Sequence, residues 1–179
     1  MQPVMNGPQT LDNLPGYLHE FATIFDKAGY SAFLVGGALR NMVLGLDTTD
    51  FDIATDAMPD EVRRLFRRTI ATGIEHGTVT VIFKRRQIEV TTFRLETGYS
   101  DGRRPDSVEY TGSIVHDLSR RDFTVNAMAL NLVSGEFVDP FYGMRDISSS
   151  VIRTVGTPAE RFREDGLRLM RALRFSAIL

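Results

Sequence analysis

A pair of adjacent glycines, an arginine and a D-x-D pair of aspartates fall within the span LVGGALRNMVLGLDTTDFDIAT, residues 34–55. Gly36 and Gly37 have no Cβ, so a ligand can approach the backbone there. If a helix starts at that point, its free N–H groups suit phosphate oxygens. Arg40, one turn further, can add a charge-assisted hydrogen bond. Asp50 and Asp52 are one residue apart. On a strand they would share a face, about 7 Å from each other along the chain. That span can flank a pair of divalent ions separated by roughly 3.5–4 Å, and hard oxygen donors favour Mg²⁺ over zinc. Taken singly, D-x-D is equally a solvated strand edge and Gly-Gly a tight turn. Together they outline a site for a polyphosphate and its metal ions.

Three further groups have suitable chemistry. Glu89, in QIEVTTF, projects opposite Ile88 and Val90 if those face inward, and could join the aspartates as a third carboxylate; it could equally be a solvated strand glutamate. RRDFTVNAMALN, residues 120–131, sets arginines, an aspartate and an asparagine beside an apolar run, suited to ribose hydroxyls and phosphates or to a helix cap with surface ion pairs. REDGLRLMRALRF, residues 163–175, spaces Asp165, Arg168 and Arg171 three apart on one helix surface, where Glu164 and Arg168 would also make an ordinary i,i+4 pair.

The elements that must hold these groups are legible in the periodicity. Leu14, Leu18, Phe21 and Phe25 recur at helical spacing before Gly29, and SAFLV reads as a buried strand leading into a helix at Gly36 that ends near Gly45. DFDIAT has strand alternation, and MPDEVRRLFRR opens like a helix, with proline and acids first. GTVTVIFKRRQIEVTTF is a hairpin around a basic turn. Residues 95–110, LETGYSDGRRPDSVEY, read as a long polar loop. MALNLVSGEFVDPF is a second hairpin turning at Ser134-Gly135, VIRTV a short strand, and a helix starts near Pro158. Its stripe of Leu169, Met170, Leu173 and Ala177 reaches Leu179 with no glycine, no cap and nothing to pack on, which reads as the first part of a longer protein. The class is α+β.

The 179 residues, 42% hydrophobic and 25% charged, suffice for one domain with a real core, or a domain and a fraction of a second. No apolar run approaches a membrane span, and MQPVMNGPQT lacks the features of a secretory signal, so the expected setting is cytoplasmic. The absence of cysteine excludes thiolate metal sites and disulfides. A net charge of −2 argues against this piece being the main grip on a nucleic acid, although RRLFRR (63–68) and KRR (84–86) keep a local contact open.

In order, the segments GGxxR, DFDIAT, EVTTFR, DGRRP, RRDFTVNAMA and EDxxR resemble the class II tRNA nucleotidyltransferases, the CCA-adding enzymes of the polymerase β superfamily, over residues 33–175. The bacterial poly(A) polymerases share most of these motifs and are the nearest alternative; a nucleotide- or RNA-binding module without activity is a more distant one. The resemblance implies a nucleotidyltransferase head over residues 1–155, with a small mixed sheet and flanking helices, and the truncated start of a helical neck over 156–179. It implies metals on Asp50 and Asp52, with Glu89 as third acidic residue, and the triphosphate on Gly36, Gly37 and Arg40. Ribose and phosphates would meet Arg121, Asp122 and Asn126, while Asp165 and Arg168 read the base with Arg171 nearby. The loop around Asp101, Arg103, Arg104 and Pro105 would serve addition of the final A. The implied substrates are CTP and ATP with two Mg²⁺ ions, and the partner is a tRNA 3′ end, held mainly by a C-terminal part beyond this chain. One departure is Asn41, where the family usually has Asp.

Overall fold

The computed structural model describes residues 14–73, 76–103 and 105–179. The expectations for MQPVMNGPQT and for Arg104 therefore lie outside the described residues. Helix α1 (Gly16–Lys27) buries Leu18, Phe21, Ala22 and Phe25 along one face, as their spacing requires. Strand β1 (Ala32–Val35) is buried throughout and passes directly into α2 (Gly36–Val43). After β2 (Asp52–Thr55) and α3 (Pro59–Leu65) come β3 (Thr69–Gly73), β4 (Thr78–Phe83) and β5 (Arg86–Thr92), then the hairpin β6 (Arg94–Thr97) and β7 (Ser107–Tyr110). Helix α4 (Ile114–Ser119), a 3-10 turn at Thr124–Asn126, β8 (Ala129–Asn131), β9 (Phe137–Val138), α5 (Gly143–Ser148), α6 (Pro158–Glu164) and α7 (Leu167–Ser176) complete the chain.

Among the described residues, seven strands form one sheet in the order β3-β4-β5-β2-β1-β8-β9. The β2–β5 pair is parallel and the others are antiparallel, so the sheet is mixed. Alternation assigns each strand two faces. One face carries Leu34, Ile53, Val79, Val81, Ile88 and Val90 against α1 and the aromatic cluster of Phe21, Phe25, Phe66 and Phe83. Each such aromatic or branched side chain contributes about 1.5–3 kcal/mol on burial. The other face carries Phe33, Val35 and Ala54 against Phe93, Leu118 and Ala127. The connectivity brings the end of β1, the starts of β2, β5 and β8, and the end of β4 to the same end of the sheet.

Several expectations need correction. Residues 95–110 are not a plain loop: β6 and β7 pair from Arg94↔Tyr110 to Thr97↔Ser107, because Leu95 and Val108 supply strand positions within the polar composition. Strand β3, built on TIATG, and helix α4 escaped the periodicity reading because both are short. VIRTV forms only a single bridge, Phe123↔Thr154. Strand β2 starts at Asp52, leaving Asp50 in the segment before it. The helix near Pro158 breaks at Asp165, whose backbone is extended (φ −146°, ψ 110°). Its second part stops at Ser176, and the Ala177 N–H donates to the Arg174 carbonyl. Phe175 is buried edge-to-face on Phe123 at 5.7 Å, so this helix does find a packing partner. Leu169, Met170 and Leu173 remain 53%, 65% and 66% exposed.

Candidate active site

The β1–α2 junction holds the first part of the site. Gly36 has φ +69°, and a Cβ there would lie 3.3 Å from Arg121 Nη1 and 3.5 Å from Asp52 Oδ2. The left-handed backbone therefore favours glycine, and a Cβ would press on the Arg121 guanidinium while only touching Asp52. No side chain caps α2, so its first N–H groups are free for oxyanions.

Register places the acids. Val35 pairs with Asp52 across β1–β2, and Asp52 pairs with Glu89 across β2–β5, so the two carboxylates are side-by-side neighbours on one sheet face. Asp50, exposed just before β2, is close enough to act on Asp52 electrostatically. The protein packed around Asp52, then the Glu89 charge, raise its pKa above the ordinary 3.8, Arg121 opposes them, and Asp50 adds to the rise. A cation would relieve that repulsion. Among the described residues, no three Asp, Glu or His side chains close into a ready-made metal cage.

Beside the carboxylates lies a cavity of about 510 Å³, lined by Gly36, Gly37, Asp52, Asp122, Asn126, Asp165 and six arginines: Arg40, Arg120, Arg121, Arg168, Arg171 and Arg174. With Glu96 as the fourth acid, the lining carries two more cations than anions. Arg40 is buried and sits 4.6 Å over the Phe175 ring. Its Nη1 donates to Asn126 Oδ1 at 2.6 Å, and its Nη2 and Nε to Asn41 Oδ1 at 2.8 and 3.3 Å. Burial, with Arg174 and Arg171 adding to it, depresses the Arg40 pKa, and Asp122 opposes them. Both groups that bond the Arg40 guanidinium are neutral amides, so its charge is left for a ligand. Asn41 thus has a definite role: it anchors Arg40 without neutralising it.

From Asn126 the polar chain continues. Asn126 Nδ2 donates to Asp122 Oδ1 at 3.0 Å, and Arg171 Nε donates to Asp122 Oδ2 at 2.7 Å, linking α2 through the 3-10 turn to α7. Arg121 Nη2 donates to Asp117 Oδ2 at 3.1 Å, while its Nε is the single buried side-chain polar atom among the described residues that lacks a partner. A buried unpaired donor on a guanidinium beside Gly36 has the form of an anion contact awaiting its anion.

The expected base-reading residues are more constrained than a plain helix face. Asp165 sits in the α6–α7 break with Oδ1 accepting from the Leu167 N–H at 2.9 Å. Arg168 Nη1 donates to Glu164 Oε2 at 2.5 Å and to the Arg161 carbonyl at 3.1 Å. The i,i+4 pair and the cavity-lining position both hold for Arg168.

The β6–β7 hairpin is tied to the same centre. Glu96 accepts from Arg94 Nε and Arg120 Nη1 at 2.8 Å and from the Tyr99 hydroxyl at 2.8 Å. Burial and Glu96 push the Tyr99 phenol up to about 12. The Gly166 N–H donates to the Gly102 carbonyl at 3.2 Å, joining the hairpin tip to the α6–α7 break. Asp101, Arg103 and Pro105 lie at that tip and do not line the cavity. Sequence reasoning missed Glu96, Asp117, Arg120 as a separate contributor, Arg174 and Phe175. The i,i+3 step from Arg171 to Arg174 was a usable signal; a fully buried Asp117 in IVHDLS gave none.

The sequence matches the poly A polymerase head domain family over residues 32–153. It is 47% identical over 172 residues to the CCA-adding enzyme of Enterococcus faecalis, covering 94% of this chain and 42% of that protein. It is 51% identical over 154 residues to that of Latilactobacillus sakei, covering 86% and 38%. Its fold is similar to a crystal structure of Bacillus stearothermophilus CCA-adding enzyme in complex with CTP, with a TM-score of 0.81, 43% identity, and 89% and 38% of the two chains covered. It is also similar to Thermotoga maritima CCA-adding enzyme complexed with tRNA, at TM-score 0.72, 26% identity, and 95% and 40% covered. The chain thus spans about two-fifths of the length of these relatives. The family match covers the glycine turn, the paired strand carboxylates and the Arg120–Asn126 wall of the cavity, and with relatives about half identical over most of its length this chain belongs to the poly A polymerase head domain family.

Proposed function

We propose that this chain is the catalytic head of a template-independent nucleotidyltransferase that adds CMP and AMP from CTP and ATP to a tRNA 3′ end, releasing pyrophosphate. The observation that carries this reading is the Asp52–Glu89 row next to a net-cationic cavity entered over Gly36-Gly37. Such a cavity fits a triphosphate, and in this reading the carboxylates act at its α-phosphate. The named activity of the similar enzymes supports CCA addition in preference to A-only addition.

In this reading the α2 N–H groups and Arg40 bind the triphosphate, with Arg121 supplying its free Nε and Nη1. Asn126 and Asp122 hold Arg40 and Arg171 and meet the ribose. Asp165 accepts from an exocyclic amino group and Arg168 donates to a ring nitrogen, a pairing that cytosine and adenine both satisfy and that uracil and guanine oppose. The hairpin tip serves the change from C to A. The hard oxygen set of Asp50 and Asp52, with Glu89 adjacent, fits two Mg²⁺ ions. When bound, such ions acidify the attacking 3′-hydroxyl and neutralise the departing pyrophosphate. Positioning and charge stabilisation by the chain's own groups supply the remainder. Residues 1–155 constitute the head and 156–179 the opening of the neck, and the action on tRNA fits a cytoplasmic setting.

Asp50→Ala and Asp52→Ala are each expected to lower CMP incorporation into a tRNA lacking its 3′ end by more than about a hundredfold, with the fold intact by circular dichroism. Activity within tenfold of wild type in both variants would refute the assignment.

A further inference from the structure

The basic residues of RRLFRR and KRR play no part in the cavity, yet they converge at the same end of the sheet. Thr69 pairs with Val81, the Ile82 N–H donates to the Arg68 carbonyl at 2.9 Å, and Phe66 meets Phe83 edge to face at 6.1 Å. Arg67 and Arg68 therefore flank the β4–β5 turn that carries Lys84, Arg85 and Arg86. Two of these cations are engaged: Lys84 pairs with Glu20 at 2.5 Å, and the Arg86 guanidinium lies 4.7 Å over the Tyr17 ring. Arg67, Arg68 and Arg85 are exposed, and among the described residues none has an acidic partner. In a chain of net charge −2, three exposed arginines without an acidic partner among the described residues gather at one end of the sheet.

The turn itself is unusual. Lys84 and Arg85 both have positive φ, +48° and +64°, in a two-residue hairpin connection where Asn-Gly or Gly-Gly relieves the strain. This sequence keeps two cations with Cβ atoms there instead.

Position along the sheet suggests the role. The nucleotide-sized cavity lies on the β1–β8 side of Asp52 and Glu89, and the basic turn lies on the β4–β3 side. Arg86 is three residues from Glu89, about 10 Å along the strand, and turns to the α1 face, so the basic turn reaches the carboxylates around the end of the sheet. Joining a nucleotide to a strand end requires the two reactants to meet at the carboxylates from opposite sides. We propose that Arg67, Arg68 and Arg85 hold the phosphate backbone of the acceptor RNA just before its 3′ end, as non-specific charge contacts. This assignment rests on the nucleotidyl-transfer reading above.

The test is a combined Arg67→Ala, Arg68→Ala, Arg85→Ala variant of the full chain, titrated with tRNA lacking its 3′ end across a salt series, and separately with CTP. RNA affinity at physiological salt should fall about tenfold or more, and the slope of log K against log salt should become shallower by about two to three. CTP affinity should be unchanged, and the triple Lys variant should restore most RNA binding. Lys27→Ala, removing an exposed cation at the opposite end of the sheet, should have no such effect. If wild type extends the tRNA and the Ala variant matches it in affinity and salt slope, the RNA surface is refuted while the functional reading stands. If wild type binds CTP but not the tRNA, the RNA surface is refuted; if it binds neither, the functional reading falls and this assignment with it. Loss of binding to anionic vesicles with RNA affinity intact would also overturn the proposal, in favour of a membrane surface.

Discussion

Gly36 concentrates the demands of the site in one residue. Its left-handed φ disfavours any side chain, and the Cβ position is bounded by Arg121 Nη1 and Asp52 Oδ2. Gly36→Ala should cost about 1–2 kcal/mol of stability from backbone strain alone. It should also displace Arg121, and losing one charge-assisted phosphate contact, worth about 1.5–3 kcal/mol, weakens CTP binding about tenfold to a hundredfold. Calorimetric titration with CTP and a urea melt check the two effects separately. Normal CTP affinity in the variant would show that the glycine serves only the turn. Asn41 shows the opposite case, a departure from the family's usual Asp whose amide oxygen anchors Arg40 while preserving its charge.

At the scale of elements, α4 and the β6–β7 hairpin are joined by a buried ion cluster. Asp117 is fully buried and accepts from Arg120 Nε at 3.0 Å and Arg121 Nη2 at 3.1 Å. Burial alone would raise its pKa, but Arg120 and Arg121 overcome this and hold it below the ordinary 3.8. A carboxylate depressed on folding contributes stability that is complete above its unfolded value and is lost as pH falls through the folded one. Asp117→Ala should therefore destabilise the protein by about 3–5 kcal/mol near neutral pH, since it leaves two half-buried guanidinium groups short of a partner inside a tight cluster. The gap between wild type and variant should shrink once pH drops below 3.8. Urea midpoints measured at both pH values test this, and a gap independent of pH would mean that packing, not charge, is what Asp117 supplies.

At the scale of the whole molecule, α7 leaves an apolar face exposed. Leu169, Met170 and Leu173 stand exposed beside a groove of about 550 Å³ lined by Phe123, Ile152, Phe162 and Ala172. Contiguous apolar surface of this kind favours association. As these 179 residues alone, the protein should bind a hydrophobic dye and self-associate with rising concentration. The double substitution Met170→Glu, Leu173→Glu should lower dye fluorescence severalfold and shift sedimentation toward the monomer, with the arginine-lined cavity unaffected. Unchanged dye binding and sedimentation would show that this face does not drive association.

The sequence by itself determined the elements whose signal is local. Helix α1, strand β1, the glycine start of α2 and both main-sheet hairpins follow from periodicity and turn residues close together in the chain, and the motif order was enough to indicate the family. The mixed sheet and the adjacency of the glycine turn and the acids were likewise expected from that order. Short or polar elements were not legible: β3, α4 and the β6–β7 hairpin are stabilised by partners far along the chain, so their own composition reads as loop. Only the tertiary structure decided that Glu89 stands next to Asp52, because a parallel register is set by the whole sheet and not by either strand. It also decided that Asp165 lies in a helix break and that Asn41 holds Arg40. The same holds for Asp117 and Glu96, which bind the hairpin to the site. Each of these facts depends on which distant side chain fills the space opposite, a long-range packing relation that residue type and spacing along the chain do not encode.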